Sequence, residues 1–500
     1  MKKLYFMGID NGGSTIKCAI FDQYGTKISS ASARIPLNTP FDGFTERSTE
    51  DIWKANCRVI QTALKRSLLS PSEITALSLC GYGGGALFLD KFGQSVYPAI
   101  VSTDSRAEKL LHTFQKTGRA DAVYTYTYQR LWSGQQGMLL PWFSKNHPDI
   151  LEKSTYLLSI KDYIRYRLTD CFATEATDAS NTNLFNIHTQ SFDPEICRHL
   201  GVEKYFYLLP NAVLPPYAIA GEITQKAASE TGLLPGTPVA TGLYDVAACT
   251  LGSGILDGTI LSVIIGTWNI CGHLSPSLKD CEGKNNGMMA FLDNWFFSEE
   301  SSPTSASNLD WIIDHFFHLE KSNPSSIYQK CNDMVAALKP IESDVIFLPY
   351  LYGSNSIPNA RAGFFNLNGR HTTGHLLMAV YEGIIFSLFS HMESLCQNNR
   401  PAFVRFSGGA SRSPVWCQML ADILNTPIQV SECDELGALG AAICASIASG
   451  VYHDYSDSVM HMCHIAHTYT PNPKYTKIYE GKYLQYQKAI QSMRTFYSDI

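Results

Sequence analysis

Near the start of the chain, Gly8-Ile9-Asp10-Asn11-Gly12-Gly13-Ser14-Thr15 sets an aspartate against two glycines and two hydroxyls, between short apolar runs. Glycines let backbone N–H groups approach phosphate oxygens closely, and the hydroxyls of Ser14 and Thr15 add donors. A carboxylate beside such a cradle suits a hard divalent cation that keeps its waters next to phosphate. An ordinary hairpin uses the same residues, so other positions must decide between the two. Asp245, in Gly242-Leu243-Tyr244-Asp245, stands among small and apolar residues, where a carboxylate is costly unless paired or used. It could accept a proton from a hydroxyl as a general base, or simply cap the helix that Val-Ala-Ala-Cys begins. Two more glycine turns, Gly266-Thr267 and Gly408-Gly409, interrupt or end apolar runs in "GTILSVIIGTWNICGHL" and "FVRFSGGAS". Lys17 stands where it could lend charge to a phosphate or face solvent.

These turns need strands to hold them. "KLYFMGID", "KCAIFD" and "TKISSASARI" read as three successive strands. "STEDIWKANCRVIQTALKRSLL" follows as a helix with Ile52, Asn56, Val59, Ile60, Ala63 and Leu64 on one face, and Ser48 or Thr49 as its cap. "ITALSLCGYGGG" returns as a buried strand ending in glycines. The second half repeats the plan of strand, small turn and strand, then a strand ending in Gly408-Gly409 before the helical "PVWCQMLADIL". "DELGALGAAICASIASG" is a small-residue helix able to pack closely on a backbone or ligand. The reading is an α/β protein in which each half carries one strand–glycine turn–strand unit.

Five hundred residues exceed one hydrophobic core, and two domains of roughly 200–250 residues follow. A net charge of −6 and no run of four basic residues argue against a nucleic-acid partner. The N-terminal apolar stretch meets Asp10 too early for a secretion signal, and "MAVYEGIIFSLFS" is broken by Glu382 and Gly383. No membrane partner and a cytoplasmic location are the expectation, with fourteen reduced, mostly buried cysteines. His461, Cys463, His464 and His467 in "HMCHIAH" look like metal ligands but lack a matching cluster elsewhere, so they read as a surface connection.

The ordered set of motifs resembles the FGGY family of carbohydrate kinases. It comprises Gly8-x-Asp10-x-Gly12 with Ser14, Thr15 and Lys17, then Gly242-x-x-Asp245, Gly266-Thr267, and the signature "SGGASRSPVWCQMLADILNTPIQVSECDELGALGAAICA" from Ser407. Within the family, "GFTERSTEDIW", "IVSTDSRAEKL", "LWSGQQGMLLPWF", "SSPTSASNLDW" and "FLPYLYGSNS", with Ser354-Asn355-Ser356, are similar to the branch that acts on L-xylulose. Tyr82, Gly84 and Gly85 stand where the D-xylulose branch typically has a Gln and a Met-His pair.

The resemblance implies two actin-like ATPase (ribonuclease H-like) domains flanking a deep catalytic cleft. They would cover 1–248 and 249–500, the latter ending in a helix over 470–500. It implies ATP and Mg²⁺, with Asp10 at the metal and Asp245 as catalytic base. Gly12, Gly13, Ser14, Thr15, Gly266, Thr267, Gly408, Gly409, Ala410 and Ser413 would hold the nucleotide and its phosphates. Adenine would lie against Gly408-Gly409-Ala410 and the small residues near Gly437. Tyr82, Thr103, Asp104 and Trp132 would join Asp245 at the sugar. Asp104 has the alternative of a turn cap with Arg106, and Trp132 of core packing. The implied partners are a small ketose and ATP, and a homodimer is compatible with the resemblance. An actin-like ATPase shares the phosphate turns, but Gly242-x-x-Asp245, "SSPTSASNLDW" and "VWCQMLAD" belong to the sugar kinases.

Overall fold

A computed structural model describes residues 3–266, 268–316, 324–354, 357, 359–396 and 400–498; Thr267, Asn355 and Ser356 lie outside them. The chain forms two compact units. The first comprises Met1–Leu256, Leu274–Ser298 and Cys433–His464, the second Asp257–His273, Glu299–Glu432 and Ile465–Ile500.

In the first unit, β1 (Tyr5–Asn11) and β2 (Thr15–Asp22) make an antiparallel hairpin through Gly12–Ser14, and β3 (Lys27–Arg34) adds to it. On the other side β1 pairs in parallel with β4 (Ile74–Gly81). A continuous apolar run such as β4 is what a strand covered on both faces requires. β5 (Ile219–Glu222) and β6 (Pro238–Ala240) extend the sheet, and the short β7 (Leu243–Tyr244) also pairs in parallel with β4. The helix Thr49–Ser67 buries Ile52, Asn56, Val59, Ile60, Ala63 and Leu64, and Ser48 caps it by accepting from the Asp51 N–H.

The second unit repeats the plan. β8 (Ile260–Ile265) forms a hairpin with β9 (Asn269–Ser275) and pairs in parallel with β10 (Phe403–Ser407). β11 (Ile428–Ser431) follows in parallel and β12 (Ile465–Tyr469) antiparallel. Its core helix, Thr373–Cys396, is long and apolar enough to cross a bilayer, longer than the broken "MAVYEGIIFSLFS" stretch suggests. Most of it is buried in the protein core, and Glu382 does not interrupt it, because its carboxylate meets Lys482 on the C-terminal helix Pro473–Ser498. Burial lifts Glu382 from 4.5 to about 7, with Lys482 opposing the rise. Replacing Lys482 by Met pushes Glu382 higher still, so that it takes up a proton. Urea unfolding should show a loss of about 1–2 kcal/mol at pH 8, and a smaller one at pH 5 where Glu382 carries its proton in the wild type as well.

The units are not continuous in sequence. Where the sequence reading crosses once, near 248, residues 274–298 and 433–464 return to the first unit. Glycine packing accounts for the second return. A Cβ on Gly8 would lie 1.8 Å from the carbonyl oxygen of Ala438, one on Gly440 2.0 Å from that of Ala248, and one on Gly252 2.2 Å from that of Leu436. The helix Leu436–Ala448 thus docks backbone to backbone on β1 and on the helix Asp245–Gly252. It ties the strand that carries Asp10 to the helix that carries Asp245.

Candidate active site

The parallel pairing of β1, β4 and β7 sets Asp10, Cys80 and Leu243 in one row across the sheet and Asn11, Gly81 and Tyr244 in the next. Neighbouring strands lie about 4.8 Å apart. The turn Gly12–Ser14, the loop Tyr82–Gly85 and Asp245 therefore leave the same edge of the sheet, at the carboxyl ends of adjacent parallel strands, where open α/β sheets hold ligands.

Asp10 faces inward from this edge. Its Oδ1 is sealed from solvent and has no hydrogen-bond partner, and Oδ2 sits where a Cβ on Gly437 would come within 2.9 Å. Burial raises its pKa from 3.8 to about 6, opposed by the Lys17 charge and a hydrogen bond with Cys80, with Glu435 adding to the rise. Gly437 thus leaves room on its Cβ side for the Asp10 carboxylate. Lys17 is held by Glu435 at 2.9 Å, the residue just before that helix, and Asp10 is also within its electrostatic reach.

Asp245 is the first residue of its helix, with Tyr244 in the capping position. The N-cap alternative is therefore not the arrangement found. Gly242, at φ +94°, brings the backbone so close to β4 that a Cβ would lie 2.1 Å from the Leu79 carbonyl oxygen. Asp10 and Asp245 both raise the pKa of Cys80 and Cys249, after the larger effect of burial. The sealed and partnerless oxygen of Asp10 is a hard donor of the kind that Mg²⁺ takes.

A buried ionic cluster that the sequence reading missed braces this edge. Lys161 Nζ lies 2.5 Å from Asp162, 3.5 Å from Asp178 and 3.7 Å from Glu175. Burial works against Asp162, but Lys161 and Arg165 hold it below the usual carboxylate range. Asp178 is raised to about 7, chiefly by burial. Arg165 donates to the Thr241 carbonyl at 3.1 Å, and Thr177 Oγ1 accepts from the Tyr244 N–H at 3.0 Å, on both sides of Gly242. Its members are scattered over residues 161–178 with no motif spacing, so only the fold reveals them.

Among the expected sugar residues, Tyr82 is buried with its hydroxyl partnerless, and burial pushes its pKa up to about 12. Trp132 is half-buried and packs close to two glycines: a Cβ on Gly84 or Gly134 would come within 2.7 Å of its ring. Asp104 differs from the expectation of a sugar contact. Its Oδ1 accepts from the backbone N–H and Nε of Arg106, and its Oδ2 from the Thr45 N–H and from Arg106, so the turn-cap alternative is the geometry found. Thr103 meets Thr45, hydroxyl to hydroxyl, at 3.2 Å.

In the second unit, β8 and β10 run side by side in parallel, so Gly266 and Gly408 leave the same sheet edge. Gly408, at φ +90°, packs so tightly that a Cβ would lie 2.3 Å from the Ile265 carbonyl oxygen, whereas Gly266 and Gly409 have open space at that position. Ser305 Oγ donates to the Gly266 carbonyl at 2.7 Å and holds the turn. Ala410 lies in the short turn Gly409–Arg412 and packs partly on the core. Ser413 departs from the nucleotide expectation, because its hydroxyl caps the helix Pro414–Leu424 and also meets Asn332 at 2.9 Å. The residues of "HMCHIAH" have separate partners: His461 stacks on Tyr452, Cys463 Sγ donates to the Gly252 carbonyl, His464 meets the Tyr24 carbonyl, and His467 lies opposite Val430 in β12.

Residues 5–252 match the N-terminal domain of the FGGY family of carbohydrate kinases, and residues 261–449 its C-terminal domain. The chain belongs to this family. It is 34% identical to a probable L-xylulose kinase of Pasteurella multocida over 98% of this chain and 99% of that one. It is 32% identical to an L-xylulose/3-keto-L-gulonate kinase of Escherichia coli over 99% and 98%. Among solved structures, a xylulose kinase of Lactobacillus acidophilus superposes with a TM-score of 0.89 at 23% identity, over 99% of each chain, and so shares the fold. As an FGGY kinase the protein is a phosphotransferase with an alcohol group as acceptor, and sugar kinases of this family use ATP.

Proposed function

We propose that the chain phosphorylates L-xylulose to L-xylulose 5-phosphate, with Mg-ATP as donor and Asp245 as general base. The observation that supports the reading is the common edge of β1, β4 and β7, which brings together the Gly12–Ser14 turn, the Tyr82–Gly85 loop and Asp245 from adjacent strand ends. The relatives named for L-xylulose over nearly their whole length support the sugar.

Phosphoryl transfer depends on positioning and charge control more than on covalent chemistry by the protein. The N–H groups of Gly12 and Gly13 and the hydroxyls of Ser14 and Thr15 take the terminal phosphates, and the Gly266 and Gly408-Gly409 turns serve the nucleotide. Asp10 would hold Mg²⁺, which when bound would neutralise charge developing on the phosphate oxygens. Asp245 accepts a hydrogen bond from the sugar hydroxyl, orients it, and takes its proton as the bond from that oxygen to the γ-phosphorus forms and the γ-phosphorus bond to the departing ADP breaks. Tyr82 and Trp132 give the pocket one polar and one flat apolar contact, as sugar recognition requires.

A coupled ADP-release screen over pentuloses, tetruloses, hexuloses and glycerol tests the substrate. The largest kcat/KM should fall on L-xylulose. A higher value on another polyol overturns the sugar assignment, and sugar-independent turnover at the same rate would turn the reading to an ATPase.

A further inference from the structure

Arg47 is a buried cation with no anion paired to it among the described residues. Its residue is 5% exposed, Nε is sealed with no hydrogen-bond partner, and among the described residues no carboxylate forms an ion pair with it. A buried charge left in this condition is costly, and proteins keep one where a ligand supplies the opposite charge. Its surroundings say where that ligand sits. The terminal guanidinium nitrogen donates to the Gly13 carbonyl at 2.6 Å, inside the phosphate turn, and the Arg47 charge acts on the phenol of Tyr82 in the pocket loop. Tyr82 is itself 6% exposed with a partnerless hydroxyl. The neighbouring Glu46 does not compensate Arg47, because it is paired with Arg106 at 2.7 Å. Lys17, another cation near the turn, is already paired with Glu435.

We infer that Arg47 is an anion receptor between the phosphate turn and the sugar loop, taking either the phosphoryl group in transfer or a carboxylate on the substrate. This rests on the site proposed above but not on the identity of the sugar. A planar guanidinium with an unpartnered Nε pairs with phosphate and carboxylate oxygens alike. A carboxylate arm would admit sugar acids beside neutral ketoses, the pairing that the E. coli relative's name records for that protein. The phosphoryl arm would make Arg47 a catalytic residue for every acceptor.

Calorimetric binding to the full-length protein distinguishes the arms without any turnover. The probes are inorganic phosphate, D-gluconate and its neutral counterpart D-glucitol, each with wild type, Arg47→Gln and Arg47→Lys. Losing one charge-assisted contact should weaken the anion by about 10- to 100-fold in Arg47→Gln. Arg47→Lys, which keeps charge without the fork, should fall between. Loss for phosphate alone assigns the phosphoryl arm. Loss for gluconate, with glucitol unchanged, assigns the carboxylate arm. Should Arg47→Gln fail to fold, Arg47→Lys carries the same comparison. Equal anion affinities in wild type and a folded variant, or no anion binding by wild type, overturn the inference. Because ketose turnover enters none of these readouts, failure of the L-xylulose assignment shows separately in the ADP-release screen.

Discussion

Asp245→Asn is expected to lower kcat by about 10²–10⁴, the usual contribution of a positioned general base. In activation free energy this is about 3–5 kcal/mol. An amide can orient the sugar hydroxyl but cannot take its proton, so the loss should fall on kcat. KM for sugar and the affinity for a non-hydrolysable ATP analogue should stay within a few fold. The helix that begins at Asp245 is anchored elsewhere, by Gly440 on Ala248 and by Thr177 on the Tyr244 N–H, so the melting temperature should barely move. Steady-state ADP release and calorimetry with the analogue read these quantities. Turnover near the wild-type rate would remove Asp245 from the chemistry.

What the sequence made legible was local. The apolar stripe of Thr49–Ser67 follows from 3.6-residue periodicity and is found; capping chemistry offered Ser48 or Thr49, and Ser48 is the cap. The strand–turn–strand repeat was legible for the same reason, since glycine turns between apolar runs leave few alternatives. The less legible features depend on tertiary partners. The helix Leu436–Ala448 is buried on nearly every side, so periodicity assigns it no face, and only the close approach at Gly8 and Gly252 shows which unit it joins. Asp104 and Ser413 are residue types that bind ligands or cap turns equally well, and nearby donors decided both. Arg47 stood inside "GFTERSTEDIW" as one charge among several. Its isolation appears only when Glu46 is seen to be taken by Arg106.

Asp10→Asn should make the ligand-free protein more stable while abolishing the response to Mg²⁺. Burial lifts the folded-state carboxyl from 3.8 to about 6, against Lys17 and Cys80. Between those pH values the folded chain keeps a proton that the unfolded chain has released. This group therefore favours folding most below pH 4, and that advantage is lost as pH rises through about 6. Above it, the sealed carboxylate costs up to about 3 kcal/mol, and less to the extent that water reaches this partly exposed residue. An amide carries no such cost. The melting temperature of Asp10→Asn should match wild type near pH 4 and exceed it by several degrees at pH 8. In wild type, Mg²⁺ should narrow that gap by giving the carboxylate the partner it lacks, and it should do so less below pH 6, where the proton competes. The variant should show no Mg²⁺ shift and little turnover across a wide Mg²⁺ range. A variant that melts with wild type at every pH would show that the charge is not stored at a cost. An unaltered Mg²⁺ dependence would reduce Gly12-Gly13 to a hairpin turn. A more stable and less active variant would instead identify Asp10 as a residue kept for phosphoryl transfer at the expense of the fold.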